Sequence, residues 1–176
     1  SEFFVNPLTL RVFAMSLALV LIAPPILAFK AQRTLEEHIR IAEIIALVQV
    51  TSLRTVPEYR NSRMPAGETQ PATVAEAVVL EMWKGAQADT VLFLARPSWT
   101  CDESRADPGD TLVVFLTAPD SGVRVITIWG EGRYRVVAAG ADFWAIGRVR
   151  SEFPTGEEMF MPLPRLRRLV ESHTRL

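Results

Sequence analysis

From Val12 to Phe29 the chain runs without one charged side chain, and this stretch constrains the molecule more than any other. At about 1.5 Å per residue, a helix of that length just crosses a hydrocarbon core, and Leu8 to Leu10 can extend it. In lipid the backbone must hydrogen-bond to itself, which leaves a helix as the economical state for a single span. Val12, Phe13, Leu17, Leu19, Leu21, Ile22, Ile26 and Phe29 are the candidate anchor residues. Pro24 and Pro25 each remove a donor and should kink the last turns. The sequence predicts a tail and one transmembrane helix within 1–32, followed by a separate body over 33–176.

A cleavable signal peptide has the same order: a basic residue (Arg11), an apolar run, then small residues. No clean small-x-small site follows, because Ile26 stands two positions before Ala28 and Phe29 two before Ala31. The expectation is a retained anchor, with cleavage as the alternative. Lys30, Arg33 and Arg40 flank the far side of the span against Arg11. Lysine and arginine bias alone would put the body in the cytoplasm.

In the body, Thr34-Leu35-Glu36-Glu37 has the spacing of a capping box, so a short helix should run to about Ala42. Glu43 to Leu53 is rich in β-branched residues and reads as a strand. Thr55 to Pro71 reads as a long loop. Thr73 to Lys84 predicts a strand buried on much of both sides. Thr90–Ala95, Leu112–Thr117, Val123–Trp129 and Arg133–Ala138 follow as strands, separated by turns at Gly85–Asp89, Asp107–Asp110, Asp120–Gly122 and Gly130–Gly132. Leu163 to Leu176 returns to helical spacing. Five or six short strands joined by turns predict a mainly β fold. A small barrel or sandwich fits, since closing a sheet removes unpaired edges.

The run Ile44-Ile45-Ala46-Leu47-Val48-Gln49-Val50, then Val78-Val79-Leu80-Glu81-Met82-Trp83-Lys84-Gly85, Cys101, and Pro108-Gly109-Asp110-Thr111-Leu112-Val113-Val114-Phe115-Leu116 resembles the netrin-like domains related to the tissue inhibitors of metalloproteinases. The likeness is greatest to their bacterial relatives and covers about Ala42 to Leu116. It implies an OB-like five-stranded β-barrel with a helix at its side or end, located outside the cytoplasm. On that ground the body is expected in the periplasm of a bacterial inner membrane, against the charge bias. The inhibitors' activity does not carry over. It needs an N-terminal cysteine whose amine and carbonyl chelate zinc, in a ridge braced by disulfides, and this chain has Cys101 alone.

Few residues offer chemistry. Gly130-Glu131-Gly132 lacks the third glycine of a pyrophosphate loop and reads as a hairpin turn. His38 and His173 have no ligand-spaced neighbours and are expected at the surface or as caps. Asp102, Glu103 and Asp107 crowd Cys101 with negative charge, which works against a thiolate nucleophile. Those acids and Asp110 lack the spacing of a calcium loop and read as a solvated acidic loop. Formal net charge is −1, and acidic residues outnumber basic ones over 30–162. That balance argues against nucleic acid as a partner. No catalytic residue, metal site or cofactor is therefore expected.

What remains is contact. Trp83 and Trp129 sit at expected strand ends, where a ring can plug a barrel mouth. Trp99, Phe143 and Trp144 fall in expected loops, where exposed aromatics would mark a docking surface and covered ones would cap the core. In the C-terminal helix, Arg165 and Arg168 flank the stripe Leu166, Leu169 and Val170 and can turn to solvent, lipid headgroups or a protein. The expected role is a membrane-anchored, non-catalytic binding or structural module. It would serve as an accessory subunit of a larger membrane complex, of respiratory or photosynthetic type for example. Its partners would be other membrane-protein subunits and, through the anchor, the bilayer. An independent periplasmic inhibitor or ligand-binding protein with a cleaved signal is the alternative.

Overall fold

The structure is a computed structural model that describes residues 34–60, 66–96, 105–119, 122–127, 131–147 and 159–174. All of these lie within the unit 33–176. The anchor residues Val12 to Phe29 fall outside the described residues, as do Trp99, Cys101 and Trp129. Among the described residues, no helix is long and apolar enough to cross a membrane.

A short helix, α1 (Leu35–Ile41), leads into β1 (Ile44–Tyr59), β2 (Gln70–Lys84), β3 (Thr90–Arg96), β4 (Thr111–Leu116), β5 (Arg133–Ala139), β6 (Asp142–Gly147) and β7 (Met159–Pro162). A second helix, α2 (Leu163–Thr174), follows directly. The fold is mainly β. One seven-stranded sheet runs β3–β2–β1–β4–β5–β6–β7, every ladder antiparallel. The capping box forms as expected: Thr34 Oγ1 accepts from the Glu37 N–H at 3.3 Å, and the Glu37 carboxylate accepts from the Thr34 N–H at 3.1 Å. Two orphan donors of the first turn are thereby satisfied.

The continuous apolar runs of β1 and β4 follow from burial on both faces. On one face Ile45 and Leu47 of β1 join Val113 and Phe115 of β4, under Leu35 and Ile39 of α1 and Leu166 and Val170 of α2. On the other face Ile44, Ala46 and Val48 meet Leu112, Val114 and Leu116, together with Ala75, Ala77, Phe93 and Ile126. The second cluster is enclosed because 122–127 bridges two strands. Arg124 pairs in parallel with Phe93, and Ile126 antiparallel with Leu116. The Leu94 N–H donates to the Arg124 carbonyl at 2.9 Å, and the Thr117 N–H to that of Val125 at 2.9 Å. Hydrogen bonds therefore run round from β4 through this segment to β3, β2, β1 and back.

Several sequence expectations need correction. Thr55–Pro71 is not all loop: β1 continues to Tyr59 and β2 begins at Gln70, with Val56 opposite Ala72. Buried Tyr59, Ala72, Val74, Leu94 and Val123 form a separate apolar cluster, and that burial carries the strands past the point where composition turns polar. Val123–Trp129 contributes isolated bridges rather than a strand where it is described. The middle of β2 is buried on one side only, since Val78 and Leu80 are exposed by 40% and 49%. Finally, β6 and β7 add two strands beyond the expected ones and carry the sheet past the enclosed cluster.

Candidate functional site

The motifs that carried the family resemblance serve as structural ties. Trp83 is buried against α1 and α2, and its indole N–H donates to Glu81 Oε2 at 3.0 Å. Lys84 reaches the end of α1, where its Nζ donates to the carbonyls of Ile39 and Ala42, each at 2.6 Å. An ammonium there meets orphan carbonyls and the negative end of the helix dipole. Burial pulls the Lys84 ammonium below its ordinary value. Gly85 follows at φ +103°, and a Cβ there would lie 2.7 Å from the Glu43 carbonyl oxygen. Lysine and tryptophan thus fasten α1 to the sheet, and glycine lets the chain pass close to Glu43 and Ile44 at the start of β1.

The Pro108-Gly109-Asp110 turn is tied in a similar way. The Asp107 N–H donates to Asp110 Oδ2 at 2.9 Å. The Gly109 N–H donates to the Val50 carbonyl at 2.8 Å, and the Val50 N–H to that of Asp110 at 2.9 Å. Asp107 pairs with Arg105 at 3.1 Å. Among the described residues, no group of three or more His, Cys, Asp or Glu can hold a metal ion.

His38 departs from expectation. It is fully buried because the second turn of α1 presses it onto Phe115, ring centroids 6.3 Å apart and edge-on. Its Nδ1 lies 2.7 Å from Thr127 Oγ1, and its Nε2 lies 3.8 Å from Glu131 Oε2. A hydroxyl, an imidazole and a carboxylate stand in line, but Thr127 is as buried as His38. A hydroxyl sealed from solvent cannot meet a substrate, so the row acts as a polar tether from α1 to Thr127 and Glu131. Beside it, Tyr134 packs on Phe115 at 5.6 Å. Burial, then Glu36 and Glu131, pushes its phenol far above the ordinary range. His173 meets expectation: it is exposed, and its Nδ1 lies 2.8 Å from the Leu169 carbonyl.

The exposed aromatics gather at the far end of the sheet. Phe143 and Trp144 lie on β6, not in a loop, and alternation sends them to opposite faces. Phe143 shares the helix-covered face with Ala145 and Met161, but near the β5–β6 turn it is 57% exposed. Trp144, half-buried, shares the other face with Ile146. The register sets Phe160 of β7 beside Ile146 and Pro162 beside Trp144. Phe160 is 61% exposed, more than any other large apolar residue described, and the sequence reading missed it. The signal was there: Asp142-Phe143-Trp144-Ala145-Ile146-Gly147 alternates after a turn at Gly140, and Met159-Phe160-Met161-Pro162 abuts the helix.

On α2, Leu166 and Val170 are buried while Arg165 and Arg168 are exposed, and neither arginine forms an ion pair among the described residues. Arg167 is the docking cation. It meets Glu81 of β2 at 2.9 Å and Glu171 at 2.8 Å. The site residues expected from sequence are therefore divided: Phe143 with the helix-bearing face, Trp144 on the opposite face, Arg165 and Arg168 on the helix, and Trp99 outside the described residues. The chain matches no protein-family model and no curated protein.

Proposed function

We propose that this chain is a membrane-anchored, non-catalytic binding module, an accessory subunit of a larger membrane complex. In this reading 12–29 is a retained transmembrane helix in a bacterial inner membrane. The ring of β1, β2, β3, 122–127 and β4 is an OB-like barrel of netrin-like kind, held in the periplasm. The observation that carries the reading is the contrast in how side chains are used. Near the ring, polar groups such as Lys84, His38 and Asp110 are engaged in internal bonds, whereas at the far end Phe143 and Phe160 are exposed and Trp144 is half-buried. Exposed aromatics on the sheet and unpaired arginines on α2 are both residue types enriched in contact surfaces.

The test is extraction of the full-length protein from its native membrane in mild detergent. The expected result is co-migration with a larger assembly, weakened by Phe143→Ser and by Arg168→Glu. Both positions are exposed, so neither change should unfold the body. Migration of the wild-type protein alone would remove the role. The mass of the mature N-terminus distinguishes a retained anchor from a released periplasmic binding protein. Proteolysis in intact spheroplasts reads the side of the membrane.

A further inference from the structure

The face of β5–β7 turned away from the helices has an unusual charge arrangement. The register defines a central row of Val137, Trp144 and Pro162. Two residues along the strands in one direction lies the row Arg135, Ile146 and Phe160. Two residues in the other direction lies Asp142, opposite Ala139. Arg135 and Asp142 are both exposed, and neither forms an ion pair among the described residues. One unpaired cation and one unpaired anion therefore stand at equal steps on either side of an apolar row.

We infer that this face docks on the same face of a second copy of the chain, across a twofold axis along the Val137–Trp144–Pro162 row. Such a rotation returns the central row to itself, so Trp144 and Pro162 pack against their counterparts. It also reverses the strand direction, bringing each Arg135 over the Asp142 end of the other copy. Two identical ion pairs then flank an apolar centre, the self-complementary pattern of an isologous contact. Packed sheets stand about 10 Å apart, a gap that an arginine and an aspartate side chain bridge between them. A same-direction stacking would set Arg135 over Arg135 instead. The patch is only three strands wide, narrower than the interfaces that hold stable dimers. The dimer is accordingly weak and concentration-dependent. This inference deepens the binding role proposed above and rests on it for the tether that keeps copies concentrated in one plane.

The test is sedimentation equilibrium of the full-length protein in mild detergent over a concentration series. The wild type should show a reversible monomer–dimer equilibrium. Arg135→Asp and Asp142→Arg should each weaken it by about tenfold or more, since each change places like charges together twice per dimer. The doubly exchanged protein, Arg135→Asp with Asp142→Arg, should recover most of the wild-type affinity. Trp144→Ser should weaken the dimer whatever the charges are, and Phe160→Ser serves in its place if that variant fails to fold. A wild type monomeric throughout overturns the inference. So does a dimer indifferent to the single exchanges, or a double exchange that restores nothing. Occupation of this face by another subunit or by lipid also overturns it. The Phe143 and Arg168 variants test the larger assembly on other residues, so either reading can fail while the other stands.

Discussion

The two ends of the sheet use the same alternating strands to opposite ends. In β1 and β4 both phases of the alternation are buried, one under α1 and α2 and the other inside the ring closed by 122–127. In β6 and β7 one phase, exposed Phe143 apart, is buried under α2, while the other carries Trp144, Ile146 and Phe160, with Phe160 exposed. A strand covered on both faces can spend its residues only on packing. One covered on a single face keeps half its residues available for contact, provided the covered half supplies enough stability. Here it does so through Tyr134, Ala145 and Met161, which extend the helix-covered core across to β7. Gly147 shows how tight that half is, since a Cβ there would overlap the Tyr134 ring.

The comparison is sharpest at phenylalanine. Phe115 is fully buried and touches both His38 and Tyr134, so Phe115→Ala should lower unfolding free energy by about 3–5 kcal/mol. Lys84→Met keeps the aliphatic stem but leaves the carbonyls of Ile39 and Ala42 unsatisfied. A loss of about 1–3 kcal/mol is expected, with faster amide exchange concentrated in α1. Phe160→Ser removes an equally large ring from the exposed phase, and the loss should be about 1 kcal/mol or less. Denaturant unfolding followed by tryptophan fluorescence measures all three. If Phe160→Ser cost as much as Phe115→Ala, the outward face of β7 would be covered and the contrast between the two ends would collapse.

How much of this was legible in the sequence depends on where each signal lies. The capping box at Thr34 and Glu37, the turn at Pro108-Gly109 and the stripe of α2 are local patterns, each decided by residues a few positions apart, and all three form. The β6–β7 pair was lost because Phe143 and Trp144 look like a loop aromatic cluster until their register with Val137 and Ala138 assigns them to opposite faces. The burial of His38 was not legible at all. Its partners, Thr127 and Glu131, lie some ninety residues away, and nothing near His38 announces them. Trp83-Lys84-Gly85 resembles a family motif in sequence, yet its structural part is a long-range one: a lysine closing a helix that ends more than forty residues earlier.

The smallest effect tests the covered half itself. The Tyr134 hydroxyl is buried with no hydrogen-bond partner among the described residues, and its phenol is held far above the ordinary value by burial, with Glu36 and Glu131 adding to the shift. Below about pH 10, tyrosine is protonated in both folded and unfolded chains, so this group gives no pH dependence there. Above about pH 10 the unfolded chain releases the proton and the folded one retains it. The folded state then binds more protons, and stability falls as pH rises, by up to about 1.4 kcal/mol per unit for one group. Tyr134→Phe preserves the ring over Gly147 and against Phe115 while deleting the hydroxyl. It should raise stability at neutral pH by about 0.5 kcal/mol and remove one proton's worth of the alkaline slope. Unfolding of both proteins between pH 8 and about 11 measures the difference, and an unchanged slope would mean that water reaches the Tyr134 hydroxyl and that the covered half of the sheet is looser than the ring.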